Sequence, residues 1–96
     1  MRVIIRFLGV HRSIVGKESI DVDVKPDGKL IDLVREVSNR VEKPEFKKLL
    51  FDPELDDPRP NNIILVNGRE IASLKGLETE LRDGDEVVLI PLIHGG

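Results

Sequence analysis

Alternating apolar and polar residues predict two β-strands near the start of the chain. One segment covers residues 3–8 and the other covers residues 19–24, where the alternation is strict. A period of two is typical of a half-buried strand, and two such segments in succession favour an antiparallel hairpin. The loop of this hairpin is predicted at 10–17, which has no clear period. The inward-facing set comprises Val3, Ile5, Phe7, Ile20, Val22 and Val24.

A helical period replaces this alternation from residue 29 onward. The apolar stripe consists of Leu30, Leu33, Val34, Val37 and Val41. This spacing places one apolar face of a helix against a core and leaves the charged residues on the other face. Asp27 is the predicted N-cap, and Pro44 marks the end of the helix or a boundary just beyond it. Residues 46–51 are predicted to add a short helical turn.

Turn and loop signals dominate the second half of the chain. Residues 52–62 contain three prolines and four acidic residues and are predicted to form a loop. Strands are predicted at 63–66 and 86–90, whereas the pattern at 77–81 is ambiguous. Asn67-Gly68 is a strong signal for a tight turn, which leads into the short segment 69–71. A second turn is predicted at Asp83-Gly84-Asp85.

The order of hairpin, helix and further strands indicates an α+β fold with a mixed sheet, because strands that flank a crossover helix can pair in parallel. One helix covers only one face of a sheet. Residues 87–90 are apolar at odd-numbered and even-numbered positions alike, so this strand presents apolar side chains to both faces. On the first strand, Ile4 and Leu8 point away from the inward set. We therefore expect an aliphatic patch, fringed with charge, on the uncovered face. It either binds a protein partner or is covered by loop 52–62.

Composition excludes several classes of function. The 96 residues suffice for one domain. A net charge of −3 argues against direct nucleic-acid binding, which needs a basic surface. Without cysteine the chain has no disulfide, thiolate metal site or cysteine nucleophile. No apolar run reaches the ~20 residues of a membrane span, and the first strand leaves no room for a signal peptide. We expect a cytoplasmic monomer that does not contact membranes.

The last residues are predicted to form a tail that leaves the domain. Pro91 lacks a backbone N–H and so weakens strand pairing from that point. We therefore expect a domain at 1–90 and a flexible tail at 91–96, which ends in Gly95-Gly96. Glycine has no Cβ and passes through a narrow channel. An enzyme that brings the terminal carboxylate against the α-phosphate of ATP could convert it to a mixed anhydride, which a sulfur or amine nucleophile then attacks.

Three segments resemble the ubiquitin-related modifiers, β-grasp proteins that double as sulfur carriers. The segments are Arg59–Gly68, Gly76–Val87 and His94-Gly95-Gly96. The related small subunit of molybdopterin synthase and the sulfur carrier of thiamine synthesis share the Leu-x-Asp-Gly-Asp-x-Val pattern, found here at 81–87, and the Gly-Gly end. The resemblance extends over nearly the whole chain and is weakest at 10–17. His94 favours the modifier type, because molybdopterin synthase subunits more often end in Ser-Gly-Gly.

The resemblance implies a ubiquitin-like β-grasp fold, with four to five strands and one main helix on one face of the sheet. It also implies that a separate activating enzyme consumes ATP and adenylates Gly96, while the chain has no catalytic residue of its own and binds no cofactor or metal. Gly96 would then take sulfur from a persulfide donor or sulfurtransferase and pass it to a tRNA-thiolation enzyme, or be joined to lysines of target proteins. The residues expected to contact partners are Ile4, Leu8, Leu92, Ile93, His94, Gly95 and Gly96.

Two other functions stay open. The chain could be the small sulfur-carrier subunit of molybdopterin synthase, or a non-covalent ubiquitin-like interaction module. Sulfur delivery and protein conjugation are not ranked, because both begin with the same acyl-adenylate.

Three further clusters favour ordinary structural roles. His11 and Ser13 lack an acidic partner for catalysis. The acidic residues of 52–57 do not have EF-hand spacing and indicate a solvated loop. Lys43, Lys47 and Lys48 indicate a solvated face that could accept self-conjugation.

Overall fold

The computed structural model describes residues 1–92, and five strands in this part form one mixed sheet. The strands are β1 (Arg2–Phe7), β2 (Ser19–Asp23), β3 (Asn62–Val66), β4 (Arg69–Glu70) and β5 (Glu86–Pro91). Their order across the sheet is β2-β1-β5-β3-β4. Strand β1 pairs antiparallel with β2 and parallel with β5, and β3 pairs antiparallel with β4 and β5. The C-terminal strand β5 is therefore the central strand, and its parallel pairing with β1 confirms the predicted mixed sheet.

Three helices accompany the sheet: α1 (Gly9–Val15), α2 (Leu30–Val41) and α3 (Pro44–Leu50). Two single-turn 3₁₀ helices, Ile71–Ser73 and Gly76–Glu78, follow β4 and account for the ambiguous pattern around 77–81. The predicted helix is α2, and four of its five stripe residues are fully buried. The predicted helical turn at 46–51 belongs to α3, which begins at Pro44 because proline suits the first turn of a helix.

The N-cap of α2 differs from the prediction. Lys29, not Asp27, precedes the first helical residue. The N–H of Gly28 bonds to the carbonyl oxygen of Lys25 at 2.8 Å, so that residues 25–28 close a turn of their own before the helix starts. The carboxylate of Asp32 then accepts from the backbone N–H of Lys29 at 3.0 Å, which satisfies a donor that the helix leaves free.

The core lies between the sheet and the helices. Val3, Ile5, Phe7 and Val22 are buried as predicted, while Ile20 and Val24 are half-buried. Phe7 and Phe46 meet edge to face, with ring centroids 5.7 Å apart, which joins β1 to α3. The other buried core residues come mainly from α2, β3 and β5, and include Leu30, Leu33, Val34, Val37, Leu50, Ile64, Val87 and Leu89.

The prediction of a loop at 10–17 is wrong, because residues 9–15 form helix α1. The helix ends where Gly16 takes a left-handed conformation (φ +80°) and its N–H bonds to the carbonyl oxygen of Arg12. Its inward residues are His11, which is buried, and Ile14 and Val15, which are half-buried. Seven residues show barely two turns of periodicity, and the most buried residue is polar, so the hydrophobic pattern was hidden.

The acidic segment before β3 forms a loop, as predicted, and packs on the helix side of the sheet. Asp52 and Asp57 form an isolated antiparallel bridge. Arg35 of α2 pairs with Asp56 at 3.2 Å, and its guanidinium lies 5.6 Å from the ring centroid of Phe51. Because these contacts tie the loop to α2, the opposite face of the sheet keeps its aliphatic residues partly accessible.

Candidate functional site

Strand β5 continues beyond the expected boundary at residue 90. Pro91 is its last residue and lies opposite Asn62 of β3. The N–H of Leu92 then donates to the carbonyl oxygen of Asn61 at 2.9 Å. Successive residues of a strand direct their N–H groups to opposite sides, so the nitrogen of Pro91 is directed toward β1, which has already ended at Phe7. Proline therefore interrupts no hydrogen bond of the sheet at this position.

The rest of the predicted tail lies outside the described residues. These positions are Ile93, His94, Gly95 and Gly96, and what was inferred for them stays a prediction. The residue before them is Leu92, which directly follows the central strand and is held by its N–H to the segment before β3.

A buried polar cluster lies against this end of the sheet, on the side that the helices cover. The side-chain amide of Asn62 donates to the carbonyl oxygens of Leu50 (2.9 Å) and Pro58 (2.8 Å). Its Oδ1 lies 2.6 Å from Nε2 of His11, and the imidazole meets the ring of Phe46 edge to face. One asparagine thus joins α1, α3 and the following loop to the strand that pairs with Pro91.

The surroundings of His11 favour its neutral form. Burial lowers the pKa of His11, and the hydrogen bond to Asn62 opposes that effect only in part. Its Nδ1 is buried and has no hydrogen-bond partner within residues 1–92, so a proton there would be uncompensated. Ser13, which the sequence places near it, is exposed and not bonded to it. Sequence reasoning missed the pairing of His11 with Asn62 because 51 residues separate them.

The uncovered face of the sheet carries the predicted aliphatic patch. Its members, called here the open-face patch, are Ile4, Leu8, Ile63, Leu65, Val88, Ile90 and Leu92. Ile63 lies opposite Ile90, and Leu65 lies opposite Val88, which makes the patch continuous across β3 and β5. Leu8 is 41% exposed and Leu92 is 39% exposed, and the other members are half-buried. The patch confirms the predicted surface, while the contact of Ile4 and Leu8 with a partner stays a prediction.

Charged residues border the patch as expected. Nε of Arg6 lies 2.8 Å from Oε2 of Glu86, and this bond raises the pKa of Arg6. Both side chains are substantially exposed, so the pair adds little stability.

The Asp83-Gly84-Asp85 turn fixes the start of β5. Asp83 accepts from the N–H of Arg2 (2.7 Å), and the N–H of Gly84 donates to the carbonyl oxygen of Arg2 (2.8 Å). Asp85 accepts from the N–H of Arg82 and from the side-chain amide of Asn67, both at 2.8 Å. Gly84 has φ +85°, a conformation that favours glycine. The turn thus holds together the start of β1, the β3–β4 turn and the start of β5.

Two carboxylates of the acidic loop bond to groups within the same segment. Oδ1 of Asp52 accepts from the N–H groups of Glu54 and Leu55, and Asp57 pairs with Arg59 at 2.6 Å, which lowers the pKa of Asp57. Over residues 1–92 no three His, Cys, Asp or Glu side chains are grouped so that they could hold a metal ion. Within the same part of the chain, no helix has the length and apolar character needed to cross a membrane.

Comparison with known proteins identifies the family. The model of the ThiS family matches residues 5–96. The chain belongs to the ThiS family. It is 33% identical over its full 96 residues to small archaeal modifier protein 3 of Haloferax volcanii, which it covers completely. It is 37% identical over 82 residues to a protein of Archaeoglobus fulgidus provisionally named a sulfur carrier, with 84% of this chain and 85% of that protein covered.

A solved structure extends the same relationship. The solution structure of Urm1 from Trypanosoma brucei superposes with a TM-score of 0.77 at 30% identity, covering 99% of this chain and 95% of that one. These relatives confirm the ubiquitin-like β-grasp fold and the resemblance to the ubiquitin-related modifiers. They also confirm the class of function: the chain is a ubiquitin-like modifier and sulfur carrier. The relatives are small modifier and carrier proteins, not enzymes.

Proposed function

We propose that Gly96 is the reacting residue of this carrier, and that a separate activating enzyme adenylates it at the expense of ATP. The adenylated chain is then either converted to a thiocarboxylate or joined to a lysine of a target protein. The observation that carries this proposal is the position of β5. The central strand of the sheet runs past the open-face patch and ends four residues before the Gly-Gly terminus.

The anchoring of β5 supports delivery of the terminus to an enzyme. Hydrogen bonds from β1 and β3 fix the strand on both sides, and the bond between Leu92 and Asn61 extends this fixation by one residue. Four extended residues span at most about 14 Å. An activating enzyme that binds the open-face patch therefore needs its nucleotide within that distance of Leu92.

The open-face patch supports binding of that enzyme. It is apolar, lies at the base of the terminus and has a charged rim at Arg6 and Glu86. Protein interfaces combine an apolar centre with a polar rim of this kind. Leu8, just after β1, widens the patch on the side away from β3. Ile4 lies opposite Glu86, so the Arg6–Glu86 pair stands between it and Val88.

The proposed chemistry requires no catalytic group on this chain. A carboxylate oxygen of Gly96 attacks the α-phosphorus of ATP, the bond to the β-phosphate breaks, and pyrophosphate leaves. With sulfide as nucleophile, a carbon–sulfur bond forms at the Gly96 carbonyl, the bond to AMP breaks, and the products are a thiocarboxylate and AMP. With a lysine amine, the same carbonyl forms an amide and releases AMP and a proton. Small residues at 95 and 96 permit close approach to the nucleotide.

The two outcomes serve different partners. A sulfurtransferase or persulfide donor supplies the sulfur in the first. Its persulfide displaces AMP to form an acyl disulfide, which a second thiol cleaves into the thiocarboxylate and a disulfide. A tRNA-thiolation enzyme then consumes the thiocarboxylate. In the second, lysines of target proteins accept the carrier. In both cases ATP binds to the enzyme, and this chain itself holds no cofactor.

Mass spectrometry of the intact chain tests the proposal. The full chain is incubated with its activating enzyme, ATP and sulfide, and we expect the mass change of one oxygen replaced by sulfur, located in the C-terminal peptide. A variant lacking Gly96 should show no change, whereas Leu55→Ala, at an exposed site on the acidic loop, should react like the parent chain. An unaltered mass of the parent chain, with an enzyme that adenylates another carrier, contradicts the proposal.

A further inference from the structure

Among residues 1–92, no strand pairs with the outer edge of β2. In the order β2-β1-β5-β3-β4, β2 is the outer strand, and β1 separates it from the strand that carries the C-terminus. An outer strand with free backbone groups can pair with an extended segment of another protein.

The hydrogen-bond pattern shows which groups of β2 are directed outward. Glu18 bonds to Phe7, and Val24 bonds to Met1, through backbone atoms. Because bonded pairs alternate along an antiparallel ladder, the even-numbered residues of β2 bond to β1. The N–H and C=O groups of Ser19, Asp21 and Asp23 therefore point away from the sheet. A side-chain contact agrees with this: the carbonyl oxygen of Asp21 accepts from Arg40 at 3.4 Å.

A groove between the end of β2 and α2 continues this edge. It has a volume of about 660 Å³ and includes Asp23, Asp27, Asp32 and Glu36 in its lining. Of the three cations that also line it, Lys29 pairs with Glu78 at 2.7 Å, and Arg35 pairs with Asp56 at 3.2 Å. Both carboxylate partners lie outside the groove. Two of its four acids are paired in the same way, Asp23 with Arg2 (4.0 Å) and Glu36 with Arg40 (3.5 Å). The charges left are Asp27 and Asp32 against Lys25, so the groove keeps a small excess of negative charge.

The two charged side chains of β2 have the same sign. Asp21 and Asp23 lie on the open face, where Arg2 lies 4.0 Å from Asp23. A second copy of this chain paired through β2 would bring these carboxylates together, which is unfavourable. The charge therefore selects against self-association and in favour of a positively charged strand.

From these observations we propose that the β2 edge and the adjoining groove form a second docking surface, which binds an extended, lysine- or arginine-containing segment of a partner protein as an added strand. The segment forms backbone hydrogen bonds with Ser19, Asp21 and Asp23, displaces Arg40 from the carbonyl oxygen of Asp21, and places its cations beside the carboxylates of Asp21 and Asp23. Strand β1 lies between β2 and β5, so the added strand does not pair with the strand that carries the C-terminus. Binding here does not depend on any reaction at Gly96.

A peptide of defined composition tests the proposal. A blocked peptide of alternating lysine and valine is titrated into the full chain labelled with ¹⁵N. We expect saturable chemical-shift changes at residues 19–23, with slower amide exchange at Ser19, Asp21 and Asp23. Saturable changes centred on the open-face patch, or no saturable change at all, contradict the proposal.

Two sets of controls separate an added strand from simple charge attraction. One version of the peptide is N-methylated on its lysine amides, which blocks antiparallel pairing. Another version is N-methylated on its valine amides, which blocks parallel pairing. Both versions keep every charge. One version should bind about tenfold more weakly, and retention of affinity by both overturns the proposal. An alternating glutamate and valine peptide should not bind.

Matched variants of the protein complete the test. Asp21→Asn with Asp23→Asn should weaken binding about tenfold, or ~1.4 kcal/mol. Glu45→Gln with Glu54→Gln, which changes the net charge equally at exposed sites outside the edge and groove, should have no effect. Arg40→Ala removes a competing donor and should tighten binding. Equal weakening by both acidic pairs contradicts the proposal. A variant lacking Gly96 should bind unchanged, so the outcome is independent of the proposed chemistry at the C-terminus.

Discussion

Nε2 of His11 lies 2.6 Å from Oδ1 of Asn62, in a site where both side chains are buried. The contact joins a helix that follows β1 to the first residue of β3, which pairs with Pro91 at the end of the central strand. The geometry at the base of the C-terminus therefore depends on a polar contact beneath the sheet, between residues far apart in sequence.

Acidification should destabilise the fold through His11. Burial holds the pKa of His11 below its ordinary value of 6.5, so the unfolded chain binds the proton more readily than the folded one. The free energy of unfolding therefore has its full value above pH ~6.5. It decreases as the pH falls below that value, by at most about 1.4 kcal/mol per pH unit. Urea unfolding at pH 7.5, 6.5 and 5.5 measures this loss. His11→Gln should reduce the slope, and His94→Gln should keep it. An equal slope in parent chain and His11→Gln contradicts the assignment.

Replacement of Asn62 should cost more than loss of one hydrogen bond. Asn62→Ala leaves the carbonyl oxygen of Leu50 and the imidazole of His11 without their partner, whereas the carbonyl oxygen of Pro58 keeps the N–H of Asn61. Buried polar groups left unsatisfied cost about 1–3 kcal/mol each, and we expect a loss of about 3 kcal/mol in the free energy of unfolding. Asn39→Ala, at an exposed site on α2, should change it by less than about 0.5 kcal/mol. Similar values for the two variants would show that the cluster is not important for stability.

Most of the sheet and helix α2 could be predicted from the sequence, because the positions of apolar residues show the periods of 2 and 3.6 directly. It did not reveal α1, because seven residues around a buried His11 show little apolar periodicity. It placed the N-cap of α2 at Asp27, because the turn closed by Gly28 and Lys25 depends on a backbone contact and not on residue type. The open-face patch was predictable from Ile4 and from residues 87–90, which are apolar at odd-numbered and even-numbered positions alike. The hydrogen bond of Asn62 to His11 was not, since only the fold brings them together.

Gly28 should not tolerate a side chain. A Cβ at this position would overlap Cγ1 of Val24 and lie 3.0 Å from the carbonyl oxygen of Lys25, in the turn that leads into α2. We expect Gly28→Ala to lower the free energy of unfolding by about 1–3 kcal/mol, as other overpacking substitutions do. Thermal unfolding followed by circular dichroism measures it. Asp27→Ala, one residue earlier and exposed, is the control and should have little effect. Equal melting temperatures for Gly28→Ala and the parent chain would show that the turn adjusts without cost.

Leu92 provides a sharp test of the open-face patch as the surface that the activating enzyme binds. It is 39% exposed, and Leu49, on α3, is 38% exposed, so the two leucines are matched in exposure but differ in location. Leu92→Glu places a charge at the base of the C-terminus, where the proposed interface excludes water. We expect the KM of the activating enzyme for this chain to rise about tenfold or more, since central apolar contacts dominate interface energies. Leu49→Glu should leave KM unchanged. The pyrophosphate released in the adenylation step is the measurement, and urea unfolding checks that both variants are folded. Equal KM values for the two variants would place the enzyme's binding surface elsewhere than the open-face patch.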